Sequence, residues 1–252
     1  MSASRTGSHG EHTEHSVEST VDATVDALHH AAESARALAA EVKPRLRGVS
    51  HFYGLWVAIA AGIVLVLSAP DGLARFAATV YSITLAGMFG ASALYHLGKW
   101  TPGTSAKLLK LDHTAIFLLI AGTYTPICLL TMDGTGRALL LGSVWTIAAA
   151  GIGFEWLPVP APRGYVTTVF ITLGWIGAIA MVPLYRSTGW EGLVLIALGG
   201  VSYTVGAVVL AMRKPDPWPR VFGYWEIFHA FVIVAAALHY CAIAFLVLPL
   251  QQ

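Results

Sequence analysis

The sequence predicts an all-α membrane protein, a bundle of seven transmembrane helices with its N-terminus in the cytoplasm and its C-terminus outside. Three observations carry that prediction. Of 252 residues, 56% are hydrophobic and only 12% charged, with a mean hydropathy of +0.67, which leaves too little polar surface for a soluble globule. Seven apolar stretches each approach the roughly 20 residues that a spanning helix needs. Lys and Arg, finally, are concentrated in alternate connecting segments.

In order, the stretches run over 52–69, 76–97, 112–131, 138–157, 165–184, 192–212 and 222–248. They are separated by "APDG", "KWTPGTSAKLLK", "MDGTG", "LPVPAPRG", "YRSTGWEG" and "RKPDPWPR". Continuous apolar runs lack the two-residue alternation of barrel strands, so helices are expected. Segments on one side hold Lys43, Arg45, Arg47, Lys99, Lys107, Lys110, Arg163, Arg213, Lys214 and Arg220, and those on the other hold Arg75, Arg137 and Arg186. Basic residues are enriched in short cytoplasmic loops, and this bias sets the orientation.

Residues 1–42 form a separate polar tail ahead of a membrane domain over 43–252. Residues 1–19 are expected to be disordered, with His9, His12 and His15 solvated rather than gathered on a metal. Over 20–42 the spacing of Val21, Val25, Leu28, Ala32, Ala35, Ala39 and Val42 predicts a short helix near the membrane or against a partner. The first fifty residues lack a basic start followed by an apolar core, so no cleaved signal peptide is expected and the first span is read as an anchor. Cys128 and Cys241 both fall within spans as small packing residues. A formal net charge of +1 gives no argument for nucleic acid, and the expected partner is membrane lipid in a multi-pass cell-membrane setting.

Titratable side chains are expensive in hydrocarbon, so each is a candidate for function. His96 closes the second span in "ASALYHLG", and Asp112 and His113 open the third in "KLDHTAIF". His229 lies about two turns into the seventh, within "FGYWEIFHAFVIVAAALHY". With the orientation above, all reach the cytoplasmic leaflet. Ser92 precedes His96 by four residues and Glu226 precedes His229 by three, so each pair shares a helix face. His239 lies about 15 Å along the axis from His229 and belongs to a different level. Imidazole and carboxylate are ordinary zinc ligands, and a metal lowers the pKa of its water. Asp112 would then act as general base and Ser92 as a donor to developing negative charge. Structural roles compete: His96 against terminal carbonyls, Ser92 as interhelical glue, Asp112 as the N-cap of its span.

The segments "SALYH", "KLLKLDHTAIFLLIAGTYTP" and "RVFGYWEIFHAFVIVAAALHY", with the lead-in "PRLRGVSHFYG", resemble the hemolysin III family of bacterial membrane proteins. That family is grouped with adiponectin and progestin receptors (the PAQR group) and, in the CREST superfamily, with alkaline ceramidases. The resemblance covers the chain from about residue 44 onward. It implies a seven-helix bundle with zinc near the cytoplasmic leaflet, His96 and His229 as ligands, Asp112 contacting the metal through water, and Ser92 beside them. The last span of the family carries two histidines four apart, and here the first of those positions is Trp225. Four completions stay open: Asp112 binds directly, Glu226 substitutes, His113 or His51 reaches in, or no metal is held.

The leading functional expectation is a zinc-dependent hydrolase, a ceramidase-like amidase or esterase, acting on a lipid from the cytoplasmic leaflet. A non-catalytic receptor-like or lipid-homeostasis protein with a structural polar cluster is the alternative, favoured by Trp225. Pore formation comes third, because the spans carry no long polar stripe to line a water-filled channel.

Overall fold

The seven apolar stretches are helical except for a residue or two at some of their ends (Ala69, Leu157, Phe222 and Gly223) in the computed structural model, which describes residues 24–25, 44–158 and 164–251. The α-helices are α1 (Val49–Ser68), α2 (Leu73–Leu97), α3 (Pro102–Thr131), α4 (Gly134–Trp156), α5 (Tyr165–Trp175), α6 (Met181–Met212) and α7 (Tyr224–Ala242). A 3-10 turn, Ile176–Ala180, joins α5 to α6, and a π turn, Ile243–Val247, then a 3-10 turn, Leu248–Gln251, prolong α7. Among the described residues the only extended pairing is an isolated bridge between Trp218 and Phe222. Six helical stretches are long and apolar enough to cross a membrane when Tyr165–Met212 is counted as one. The expectations for residues 1–42 lie outside the described residues, apart from Thr24 and Val25, which are helical.

The helix ends follow local chemistry. Ala69 is extended because the following Pro70 disfavours helical geometry in the residue before it, and α1 stops there. Thr101 caps α3 by accepting from the Thr104 N–H at 3.3 Å, and Pro102 occupies the first helical position, where its missing N–H costs nothing. The expected boundary at 112 is therefore corrected to Pro102, and Lys107 and Lys110 belong to the early turns of α3 rather than to a loop. Asp112 lies about 15 Å inside the helix, which removes its reading as an N-cap. Thr101→Ala is expected to lower stability by about 1 kcal/mol, measurable as a reduced unfolding temperature in detergent.

The expected loop "YRSTGWEG" is helical too, with one interruption. Gly189 has φ 69° and ψ −160°, a conformation essentially reserved for glycine. Across that break the Trp175 indole N–H donates to the Thr204 hydroxyl at 3.1 Å, although the two are 29 residues apart. Along an unbroken helix they would be about 43 Å apart. The chain therefore doubles back at Gly189, midway between them.

α3 is the centre of the bundle: 67% of its most apolar window is buried, against 22% for α1 and α4. α2 lies beside it and buries Tyr81, Leu85, Met88, Phe89, Ser92 and His96, a stripe at helical spacing. Tyr53, Trp56, Val57, Val64 and Leu67 on α1 point outward, as suits a hydrocarbon surround where burial alone does not hold helices together. Polar contacts join the helices instead. Tyr124 donates to the carbonyls of Leu173 and Gly174 at 3.0 and 2.7 Å, Ser202 to Phe231 at 2.9 Å, and Tyr240 to Ala61 at 2.9 Å.

Candidate functional site

The first turn of α1, the end of α2, the third turn of α3 and the start of α7 meet at one end of the bundle. His96 Nε2 is 3.8 Å from Asp112 Oδ2, and the Ser92 hydroxyl is within hydrogen-bonding reach of the same carboxylate. The His96 and His229 rings are 4.9 Å apart at 64°. Ser92, His96, Asp112 and His229 are all buried, so the structure brings together the four residues singled out from the sequence. Gly48, with φ +80°, lets the lead-in to α1 pass directly over α2, since a Cβ at that position would sit 2.6 Å from His96 Cβ.

Trp225 occupies the position where the family pattern has its other histidine. Its indole lies 5.4 Å from the His96 ring and 6.2 Å from the His229 ring, with the Arg47 guanidinium 5.2 Å over it, within cation–π range. Glu226, the substitute donor on the same turn, is committed elsewhere. Its Oε1 accepts from Arg47 Nε at 3.2 Å and its Oε2 from the Gly223 N–H at 2.7 Å, which caps α7 from inside. His113 turns toward α4, where its Nδ1–H meets Glu155 Oε1 at 3.0 Å. His239 donates to the Ile196 carbonyl at 3.1 Å, deep between α6 and α7, as an interior hydrogen-bonded residue.

His51 takes the place nearest His229, with ring centroids 4.1 Å apart and the Phe89 edge on its other side at 5.1 Å. In the sequence Arg47 counts only as a topological charge, and its position at the depth of Glu226 is the signal that marks it as a partner. Among the described residues no group of three His, Cys, Asp or Glu side chains already closes around a metal-sized point. The donor set nevertheless suits a borderline-soft ion: imidazoles in ring contact, a neighbouring carboxylate, and buried nitrogens on His51 and His229 (His229 Nδ1) without hydrogen-bond partners.

A cavity of about 570 Å³ opens from this cluster. Its polar end carries Ser92, Asp112 and His229, and Ile116, Ile120, Phe170 and Val232 line it on the way to Tyr124 and Leu184. That volume is within the range of small-molecule sites.

The family described as Haemolysin-III related matches residues 40–240. The chain is 33% identical to Hemolysin-3 of Bacillus cereus over 204 residues, 80% of this chain and 90% of that protein. To the Hemolysin-3 homolog of Bacillus subtilis (strain 168) it is 31% identical over 206 residues, covering 79% and 92% of the two chains. A human relative, monocyte to macrophage differentiation factor, is 24% identical over 201 residues, 77% of this chain and 80% of that one.

Proposed function

This multi-pass membrane protein belongs to the haemolysin III-related family, and we propose that it is a zinc-dependent hydrolase of a lipid amide or ester bond, taking its substrate from the cytoplasmic leaflet. The topology of this reading is seven crossings with the N-terminus inside. Unbroken, the 48 residues of Tyr165–Met212 would run about 72 Å, against a hydrocarbon core of roughly 30 Å. Folded back at Gly189, the two arms are each about one membrane thickness long. In this reading seven passes put the termini on opposite sides, and the excess of Lys and Arg supports a cytoplasmic N-terminal side.

The observation that carries the activity is the continuity of the cavity, whose apolar walls begin at the Ser92, Asp112 and His229 side chains. A lipid tail laid along Ile116, Ile120 and Phe170 presents its linkage to the polar end. Asp112 is placed there to take a proton from water, and the Ser92 hydroxyl to donate toward negative charge developing on the carbonyl oxygen. His96 and His229 would hold the zinc ion, with Asp112 beside them. When bound, zinc supplies a Lewis acid and a water that is acidic near neutral pH. The mostly apolar walls lower the dielectric around these donors and acceptors.

The test is fatty-acid release from a panel of ceramides and phospholipids by zinc-loaded protein in detergent. Release that depends on Ser92 and Asp112 supports the reading, and its absence across the panel overturns it. Trp225→His restores an imidazole four residues before His229 and is expected to raise zinc retention during dialysis against chelator, scored by metal analysis. Equal retention by the variant and the wild type counts against the geometry.

The stack of Arg47 on Trp225 and the Arg47–Glu226 pair favour a second reading, a non-catalytic lipid-responsive protein in which the cluster ties α1 to α7. It predicts that His96→Ala and His229→Ala lower the unfolding temperature of a protein that turns over no lipid.

A further inference from the structure

We propose that His51, on α1, is the third imidazole of the metal centre, replacing the ligand lost at Trp225; the inference rests on the zinc reading above and names the donor that reading leaves open. His51 is 2% exposed, and its two ring nitrogens are buried without a hydrogen bond of regular geometry, the backbone of His229 being a polar group beside them. His229, 1% exposed and in ring contact with it, has an unpartnered Nδ1. Burying polar groups without partners is costly, and such groups call for a physical explanation. An ion shared by the two rings provides one, since each gives it a nitrogen lone pair and neither needs a proton there.

The spacing of His51 and of His96 from the His229 ring suits this role. Two imidazoles bound tetrahedrally at about 2.0–2.1 Å have centroids roughly 5 Å apart. His96 and His229 are at 4.9 Å, and His51 and His229, at 4.1 Å, need to part by less than an ångström, roughly, to match that separation. The other candidates are engaged. Glu226 is held by Arg47 and the Gly223 N–H, and His113 by Glu155, while the Trp225 indole, the side chain standing at the family position, offers only a donor. Replacing a ligand on α7 by one on α1 keeps three imidazoles in the set but draws them from three helices instead of two.

Purified full-length protein, zinc-loaded and then titrated with a chelator of known affinity, provides the test. Wild type is expected to hold one zinc per chain, His51→Ala to bind it at least roughly tenfold more weakly, and the double variant His51→Ala with Trp225→His to recover most of the loss. In case His51→Ala does not fold, His51→Cys loaded with cobalt gives an independent readout. A thiolate-to-cobalt charge-transfer band in the near ultraviolet, absent from cobalt-loaded wild type that carries Cys128 and Cys241 alone, appears only if the side chain at 51 touches the ion. Wild-type affinity in folded His51→Ala, or cobalt bound to His51→Cys without that band, overturns this assignment and leaves the zinc reading standing. Failure of wild type to bind either metal removes both.

Discussion

Asp112→Asn is expected to lower lipid hydrolysis by two to four orders of magnitude, about 3–5 kcal/mol in the activation barrier, with little change in unfolding temperature. Asparagine keeps the shape of the side chain and can still meet the Ser92 hydroxyl, but its amide cannot accept a proton from water. The substitution thus separates proton transfer from architecture at a position buried between α2 and α3. Rates are to be measured as released fatty acid per mole of zinc-loaded protein, so that a change in metal content is not mistaken for one in chemistry. Turnover within threefold of wild type would remove Asp112 from the role of base. Ser92→Ala is the companion variant; losing a single donor to the developing oxyanion is expected to cost roughly 100- to 1,000-fold.

Gly48→Ala is expected to destabilise the protein by about 1–3 kcal/mol and to reduce zinc retention at the same time. Two effects add at this residue. The left-handed backbone of Gly48 is strained for any residue with a Cβ, and the added carbon would lie 2.6 Å from His96 Cβ, a distance that side chains do not tolerate. Relief requires α1 to move away from α2, which carries His51 away from His96. Thermal unfolding and metal analysis of the same preparation check both halves. Gly103→Ala, where the new methyl meets nothing within 4 Å, is the control and is expected to be neutral or slightly stabilising. An unchanged unfolding temperature in Gly48→Ala would show that α1 is not held against α2 as tightly as the contact implies.

Much of this arrangement is legible in the chain before any coordinates. Hydrophobic runs place the helices, and the ends of those runs place Ser92, His96, Asp112 and His229 at one depth, because a helix advances a fixed distance per residue. Hydropathy alone starts α3 too late, because its first turns are polar and lysine-rich, although Thr101-Pro102 is a legible helix-start signal. The turn at Gly189 was less visible, since the residues around it are helical and only one set of dihedral angles breaks the pattern. His51 and Arg47 were harder still. Which helix packs against which is a property of the assembled bundle, and no local spacing in "PRLRGVSHFYG" says that it will meet "YWEIFH". Glu226 illustrates the same limit, because its spacing from His229 is that of a ligand while its contacts are those of a helix cap and an ion pair.

The joining of α1 to α7 also sets the order in which the site can come into being. Arg47 and Glu226 are 179 residues apart, and the backbone bonds from Arg45 to Arg220 and from Leu46 to Val221 span nearly as much of the chain. At synthesis rates of about 5–20 residues per second, roughly ten to forty seconds pass between the emergence of the two partners. During that interval His51 waits on α1, while His96 and Asp112, on consecutive helices, already have each other. His229 arrives only with α7, so under the proposed reading the nascent chain has no complete set of imidazoles until that helix has been made.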